Sequence, residues 1–346
     1  MLRQRLRYAQ EHFDQIKSIL IGSATARDQM LSVDLANAAT LGVVDVAYSK
    51  AYDHCAAVVR CYATFENFVL NAVDEWVRWS LAHRPGPFLK LESVRARYES
   101  GFAEILRRRT ATRFAGLNRA RLAEGLTLLY ADPVPVNPSL SLEPFFAKQG
   151  NLTLAVVTTL FSAIGLGDPN QWIAECTALQ ALCVDEGFGV EEELKQLVER
   201  RNEAAHGSSL PTEILGTNDL VALVELLSRL CACLGDFVLV SICRAELGDS
   251  LERGVLGTVT RVWKELSVFE LTIADTTIYV DLPVVFVGRS VVELSIIKSI
   301  QVEDVQTLGF TDGAGTALGI KTTCLPLNGM QMLDPSKVRG LCGLMA

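Results

Sequence analysis

The sequence lacks almost everything that metal, redox and nucleotide chemistry needs. Its nine cysteines include no Cys-x-x-Cys pair, and none of its four histidines stands at zinc-ligand spacing from them. The cysteines (55, 61, 176, 183, 231, 233, 243, 324 and 342) sit among apolar neighbours. An odd number without a framework reads as reduced thiols that pack as small hydrophobes. There is no Gly-x4-Gly-Lys-Ser/Thr phosphate loop, nucleophile elbow, dinucleotide fingerprint or paired-carboxylate arrangement, so no cofactor and no metal is expected.

Charge is also scarce, at 21% of residues against 49% apolar, which is the composition of a folded chain. The 346 residues suffice for two domains, each with its own core. A formal net charge of −8 argues against a general nucleic-acid binder, although a local basic surface can sit on an acidic protein. The basic start, Met1 to Arg7, is followed by no apolar run, so no secretory signal is expected. Residues 218–247 are apolar yet carry Glu225, Arg229, Asp236 and Arg244, a poor composition for a membrane span. A cytoplasmic protein without membrane contact is expected.

The chain changes character near residue 250. Residues 42–83 hold a strong helical stripe (Ala57, Val58, Cys61, Tyr62, Phe65, Phe68, Val69, Ala72, Val73, Trp76) that ends at the breaker cluster His83-Arg84-Pro85-Gly86-Pro87. Further helices are predicted at about 2–20, 91–108, 116–130, 149–165, 170–184, 190–206 and 218–247, with a Pro-rich loop at 131–145. After Gly248-Asp249-Ser250 come short Val-, Ile- and Thr-rich runs at 257–262, 267–273, 277–280, 284–287 and 291–299, a small closed barrel by pattern. The fold class is therefore α + β multidomain. A helical bundle spans 1–250, an Arg-rich insertion lies within it at about 86–147, and a small β-barrel spans 251–346.

The chemistry concentrates in Leu194–Gly207, one helix whose buried stripe is Leu194, Leu197, Val198 and Ala205, with Gly207 placed to end it. Within it stand Arg201, Asn202 and His206. Five residues of helix separate Arg201 from His206 by about 140°, so the two flank a cleft rather than share a ridge. A histidine titrating near neutrality and a bidentate arginine suit metal-independent RNA cleavage by the neighbouring 2′-hydroxyl. One moves the proton and the other meets the charge that builds on phosphate oxygens. Arg200 adjoins Arg201, and either could face the cleft. His12 and His83 read as solvated or capping residues on helices, and His54 as a satisfied core or boundary residue.

Arg201-Asn202-x-x-x-His206 resembles the Rx4–6H motif of the HEPN superfamily. The stretch Val198–Gly207 is similar to the MAE-type and RiboL-PSP-type subfamilies, and so is the upstream helix Ala56–Val69, where Glu66 takes the place of a recurring acidic residue. The resemblance covers about 42–247. It implies an antiparallel helical bundle, a homodimer with both motifs in one composite cleft, and metal-independent endoribonuclease activity. Arg201, His206, Asn202 and Glu66 are then the catalytic candidates. The segment 86–147 departs from a minimal bundle of that kind.

Eight arginines crowd residues 95–121 (95, 97, 107, 108, 109, 113, 119, 121) against Glu99 and Glu104, a local charge of +6 with no lysine. Arginine's fork suits phosphate, and Tyr98 and Phe114 within the tract would stack on bases. The alternative is a solvated face salt-bridged to acids such as Glu191–Glu193. With the HEPN resemblance, Arg107, Arg108, Arg109, Arg113, Arg119 and Arg121 become RNA-binding candidates.

In the C-terminal region Gly257–Val262, Thr277–Phe286, Lys298–Val302 and Gly315–Lys321 follow the order of the second-domain barrel of translational GTPases, which they resemble. Val280-Asp281 stands where that family has Gly-Asp. The resemblance implies a module that holds RNA or ribosomal partners, though a β domain that merely supports a dimer fits nearly as well. The expected function is a homodimeric endoribonuclease, of the kind that acts as a toxin or defence effector on RNA, tRNA or ribosome-associated RNA included. The competing reading is a non-catalytic HEPN module that binds RNA or a protein partner.

Overall fold

The stripe read between 42 and 83 builds a 38-residue helix, α2 (Val46–His83), with Val58, Cys61, Phe65, Val69 and Val73 fully buried. The computed structural model describes residues 1–34, 46–206, 213–248, 254–289, 291–303, 305–312, 314–341 and 344, with the backbone alone at 30–34, 46, 47, 206 and 312. The other helices are α1 (Leu2–Asp34), α3 (Pro85–Leu89), α4 (Glu92–Arg107), α5 (Arg119–Leu128), α6 (Glu143–Phe146), α7 (Leu154–Ala163), α8 (Asn170–Glu175), α9 (Thr177–Glu186), α10 (Val190–His206) and α11 (Thr217–Leu247). Capping follows chemistry. Asn118 accepts from the Arg121 amide at the start of α5, and Thr153 accepts from the Val156 amide at the start of α7.

Contacts divide the chain into two compact units, one of Gln4–Asp168 and Ala178–Ala232, the other of Met1–Arg3, Pro169–Thr177 and Cys233–Ala346. Secondary structure changes type after Leu247, beside the boundary expected at 250, whereas the units divide within α11. By length and composition α11 would cross a membrane, yet 78% of its most apolar window is buried.

In the first unit α10 packs against α2 and α7, and its Leu194 and Leu197 are fully buried. The arginine-rich segment is part of the packed structure. The buried face of α4 is Val94, Tyr98, Gly101 and Ile105, and Ile105 joins Phe114, Leu122 and Ala147 in a small core of their own. At Gly101 an added Cβ would come 1.7 Å from the Pro144 carbonyl oxygen, so α4 and α6 approach at backbone distance.

In the second unit six antiparallel strands close on themselves: β1 (Val255–Trp263), β2 (Val268–Ile273), β8 (Ala317–Thr322), β5 (Val292–Val302), β4 (Pro283–Val287) and β9 (Gln331–Leu333), which returns to β1. This is the closed barrel that the sequence led us to expect. Closure pairs both edges of every strand in the ring. β6 (Val305–Thr307) extends from β5, and β3 (Thr276–Tyr279) pairs with β7 (Gly309–Asp312) in a separate ribbon. Alternation is clean in β2, where Phe269, Leu271 and Ile273 face inward and Phe269 meets Phe286 edge to face at 5.5 Å. The turn without glycine is accommodated at Asp281, at φ 68°, a residue type that tolerates the left-handed region.

Candidate active site

The seventeen residues of α10 carry Glu191, Glu192 and Glu193 in the first turn, where the helix dipole favours them, and the two adjacent arginines near the end. Neighbouring residues on a helix diverge by about 100°, so Arg200 and Arg201 meet different surroundings. Arg200 turns back along its own helix. It donates to Gln196 Oε1 at 2.6 Å and faces Glu193 at 3.6 Å and Glu213 at 3.8 Å. Burial raises the Glu193 carboxyl above its usual range, and Arg200 pulls it back. Arg200 is thus neutralised in place.

Arg201 points instead into a cavity of about 600 Å³. Its wall on the α2 side is one helical face, Val59, Tyr62, Ala63, Glu66 and Leu70, and the segment 146–151 supplies Phe146, Gln149, Gly150 and Asn151. The Arg201 guanidinium lies over the Tyr62 ring, 4.2 Å from its centre, and donates to Asn151 Oδ1. Its Nε–H is buried with no partner among the described residues, and so is Gln149 Oε1 on the same cavity. Tyr62 is fixed on both sides, accepting from the Leu152 amide at 2.9 Å and donating to Glu66 Oε1 at 3.4 Å. Burial raises the Tyr62 hydroxyl, so it stays protonated and able to donate. The cavity therefore holds a fixed cation, a carboxylate on a short hydrogen-bonded chain, and two buried polar atoms without partners. Such atoms are costly unless a ligand or water meets them.

Of the residues expected at the site, Arg201 and Glu66 line this cavity, and Arg113 of the arginine tract joins them. Asn202 is half-buried on α10 and is not among the lining residues. His206 ends α10, and its side chain lies outside the described residues, as does Gly207. Arg107 and Arg108 share Glu104 at 2.8 and 2.7 Å, which holds that carboxyl below its usual range. Arg109, Arg119 and Arg121 are exposed, and Arg121 borders a separate polar cavity with Arg78 and Glu143.

Two aromatic expectations fail. Tyr98 is fully buried and donates to the Leu122 carbonyl, with burial pushing its hydroxyl up to about 12, while Phe114 is 5% exposed in the small core. Neither can stack on a base. Arg97 is likewise structural, capping the Phe145 carbonyl at 2.8 Å. Of the acids at the start of α10, Glu193 pairs with Arg200 and Glu192 with Lys195, and none of the three is ion-paired with the tract among the described residues.

Sequence reasoning missed Tyr62 and Asn151, the two groups that hold Arg201. Tyr62 had a usable signal: it stands one helical turn before Glu66 on the same face. His54 is buried as expected but only half satisfied. Nδ1 accepts from the Leu215 amide at 3.1 Å and Nε2 has no partner among the described residues. Burial and then Arg200 lower its pKa, against Glu203 and Glu213. His83 caps its helix end through the Trp79 carbonyl at 2.9 Å.

No curated protein and no solved structure matches this chain. The family model of RiboL-PSP-HEPN matches residues 34–239, well over half of the 346 residues and inclusive of α2, the arginine-rich segment and α10. With its helical unit, its Arg-to-His motif on α10 and that match, the chain belongs to the RiboL-PSP-HEPN family.

Proposed function

We propose that the protein is a metal-independent endoribonuclease whose reacting phosphate sits in the Arg201 cavity. The observation that carries this reading is the divergence of the two arginines. Arg200 is tied to Glu193, whereas Arg201 is held open toward a cavity with an unmatched N–H. A protein that needed α10 only for packing would gain from pairing both.

In this reading His206 takes the proton from the ribose 2′-hydroxyl as the 2′-oxygen bonds to phosphorus. The bond from phosphorus to the 5′-oxygen then breaks, and that oxygen leaves with a proton supplied by His206 of a second copy. The products are a 2′,3′-cyclic phosphate and a 5′-hydroxyl. A histidine at a helix C-terminus has its charged form favoured, which suits the acid role. Arg201 meets the charge that grows on the equatorial oxygens. Glu66 is oriented by Tyr62 to accept from a ribose hydroxyl, and Asn202, about 100° from Arg201, acts by positioning the end of α10. Arg113 adds a phosphate contact at the cavity mouth, and Arg107, Arg108, Arg109, Arg119 and Arg121 attract RNA from solution. The active form is a cytoplasmic homodimer, because one arginine and one histidine make a thin site and a shared cleft doubles them.

The test is cleavage of a labelled RNA in EDTA. Wild type should leave cyclic phosphate ends, and His206→Ala, with unchanged circular dichroism, should lose about 10²–10⁴ in rate. Undiminished cleavage by the folded variant overturns the assignment. Binding without cleavage by the wild type would leave a non-catalytic RNA-binding module.

A further inference from the structure

Ala63 of α2 lines the Arg201 cavity on one side and a second cavity, of about 230 Å³, on the other. The second is walled by Arg5, Tyr8 and His12 of α1 and by Arg60 and Asn67 of α2. Tyr8 and His12 form an aromatic pair with ring centres 4.3 Å apart and planes tilted by 51°, and Tyr8 is 52% exposed, which leaves a face of its ring open. Neither Arg5 nor Arg60 is ion-paired among the described residues, and both are exposed. Arg5 acts on buried Glu75 only at longer range. Asn71 donates to Asn67 Oδ1 at 3.1 Å, which leaves the Asn67 amide N–H groups for a ligand.

We infer that this second cavity is a nucleotide subsite, in which a base of single-stranded RNA stacks on Tyr8, braced by the tilted His12 ring, while Arg60 and Arg5 hold the flanking phosphates. The inference rests on the reading of the Arg201 cavity as the cleavage site and adds where the strand continues. The combination fits that ligand class, since an exposed aromatic ring beside cations is how single strands are gripped without reading sequence. Spacing agrees. Lining residues of the two cavities follow one another by a single position along α2, about 100° of a helix some 10–12 Å across, which is an arc of about 10 Å. That is the rise of about three stacked nucleotides. One strand therefore reaches both cavities over the small side chain of Ala63.

The experiment measures equilibrium binding of a fluorescent twelve-nucleotide single-stranded RNA to full-length His206→Ala protein, so that no cleavage intervenes. Tyr8→Ala should weaken binding about 5-fold or more, and Tyr8→Phe, which keeps the stacking face, should restore it. Arg60→Gln and Arg5→Gln together should flatten the slope of log K against log salt by about 1.4, two single-strand phosphate contacts. Parental affinity in Tyr8→Ala overturns the subsite. So does a change of oligomeric state with RNA affinity intact, which would make this face an interface between copies. Because binding is the readout, failure of wild-type cleavage would remove the cleavage reading alone. Intact cleavage with parental affinity in Tyr8→Ala would remove the subsite alone.

Discussion

Replacing the two adjacent arginines singly should give opposite phenotypes. Arg201→Gln removes the cation at the cavity. It loses the contact with the Tyr62 ring, worth about 0.5–2 kcal/mol, and a charge-assisted bond to Asn151 of about 1.5–3 kcal/mol. It also removes a buried N–H without a partner, which costs about 1–3 kcal/mol, and a partly buried charge. The losses, about 2–5 kcal/mol together, exceed the relief of the unpaired N–H by about 1–2 kcal/mol, and release of the partly buried charge offsets most of that, so stability should change by no more than about 1 kcal/mol. Catalysis has no such compensation, and loss of a donor to the developing oxyanion should lower the rate about 10²–10³-fold. Arg200→Gln reverses the pattern. The pair with Glu193 has side-chain exposures of 13% and 20%, between the exposed and buried limits, so breaking it should cost about 1–2 kcal/mol. The assays are single-turnover cleavage in EDTA and thermal unfolding followed by circular dichroism. Arg200→Gln should melt a few degrees lower and cleave within a few-fold of wild type. An Arg200→Gln protein that loses 100-fold in rate, beside an active Arg201→Gln protein, would refute the assignment of Arg201 to the phosphate.

Two further outcomes are expected. Burial raises the Asp236 carboxyl to about 7, against the pull of Arg3, whose Nη2 stands 2.9 Å away, and of a backbone hydrogen bond from Val292, while Cys176 and Glu293 oppose ionisation further. The folded state therefore keeps a proton that the unfolded chain loses near 4, and unfolding free energy should fall as pH rises from about 4 to about 7, by at most about 4 kcal/mol. Asp236→Asn should flatten that dependence in urea unfolding at several pH values, and an unchanged slope would show that Asp236 does not carry it. The wild-type protein should be dimeric by light scattering at the concentration of the cleavage assay, and a fully active monomer would refute the composite cleft.

The helices were legible because their apolar residues repeat at three and four positions, and the end of α2 because Pro85-Gly86-Pro87 cannot continue a helix. The strands were legible up to β5 and again at β8, overlapping Gly315–Lys321, whereas β9, the three residues that close the barrel, is too short to show a pattern. At the site, residue type was readable and direction was not. Arg200 and Arg201 are equivalent in sequence, and what separates them is Glu193, seven residues back on the same helix, and Asn151, fifty residues away in a loop. Tyr98 was misread because its charged neighbours suggested an exposed face. The spacing of Val94, Tyr98, Gly101 and Ile105 held the opposite signal, that of a buried stripe. The pairing of α1 with α2 that gathers Tyr8, His12 and Arg60 is a tertiary fact that no local pattern encodes.

The close approach at Gly101 couples a glycine of α4 to the wall of the Arg201 cavity. Its missing side chain is what lets α6 lie against α4, and α6 ends at Phe146, where the segment that walls the Arg201 cavity begins. Any larger residue at 101 meets the Pro144 backbone, which cannot rotate away as a side chain would, so the added bulk is transmitted to 146–151 and to Asn151, the partner of Arg201. A position with no functional atom, remote from the motif in sequence, is therefore sterically tied to the shape of the Arg201 cavity.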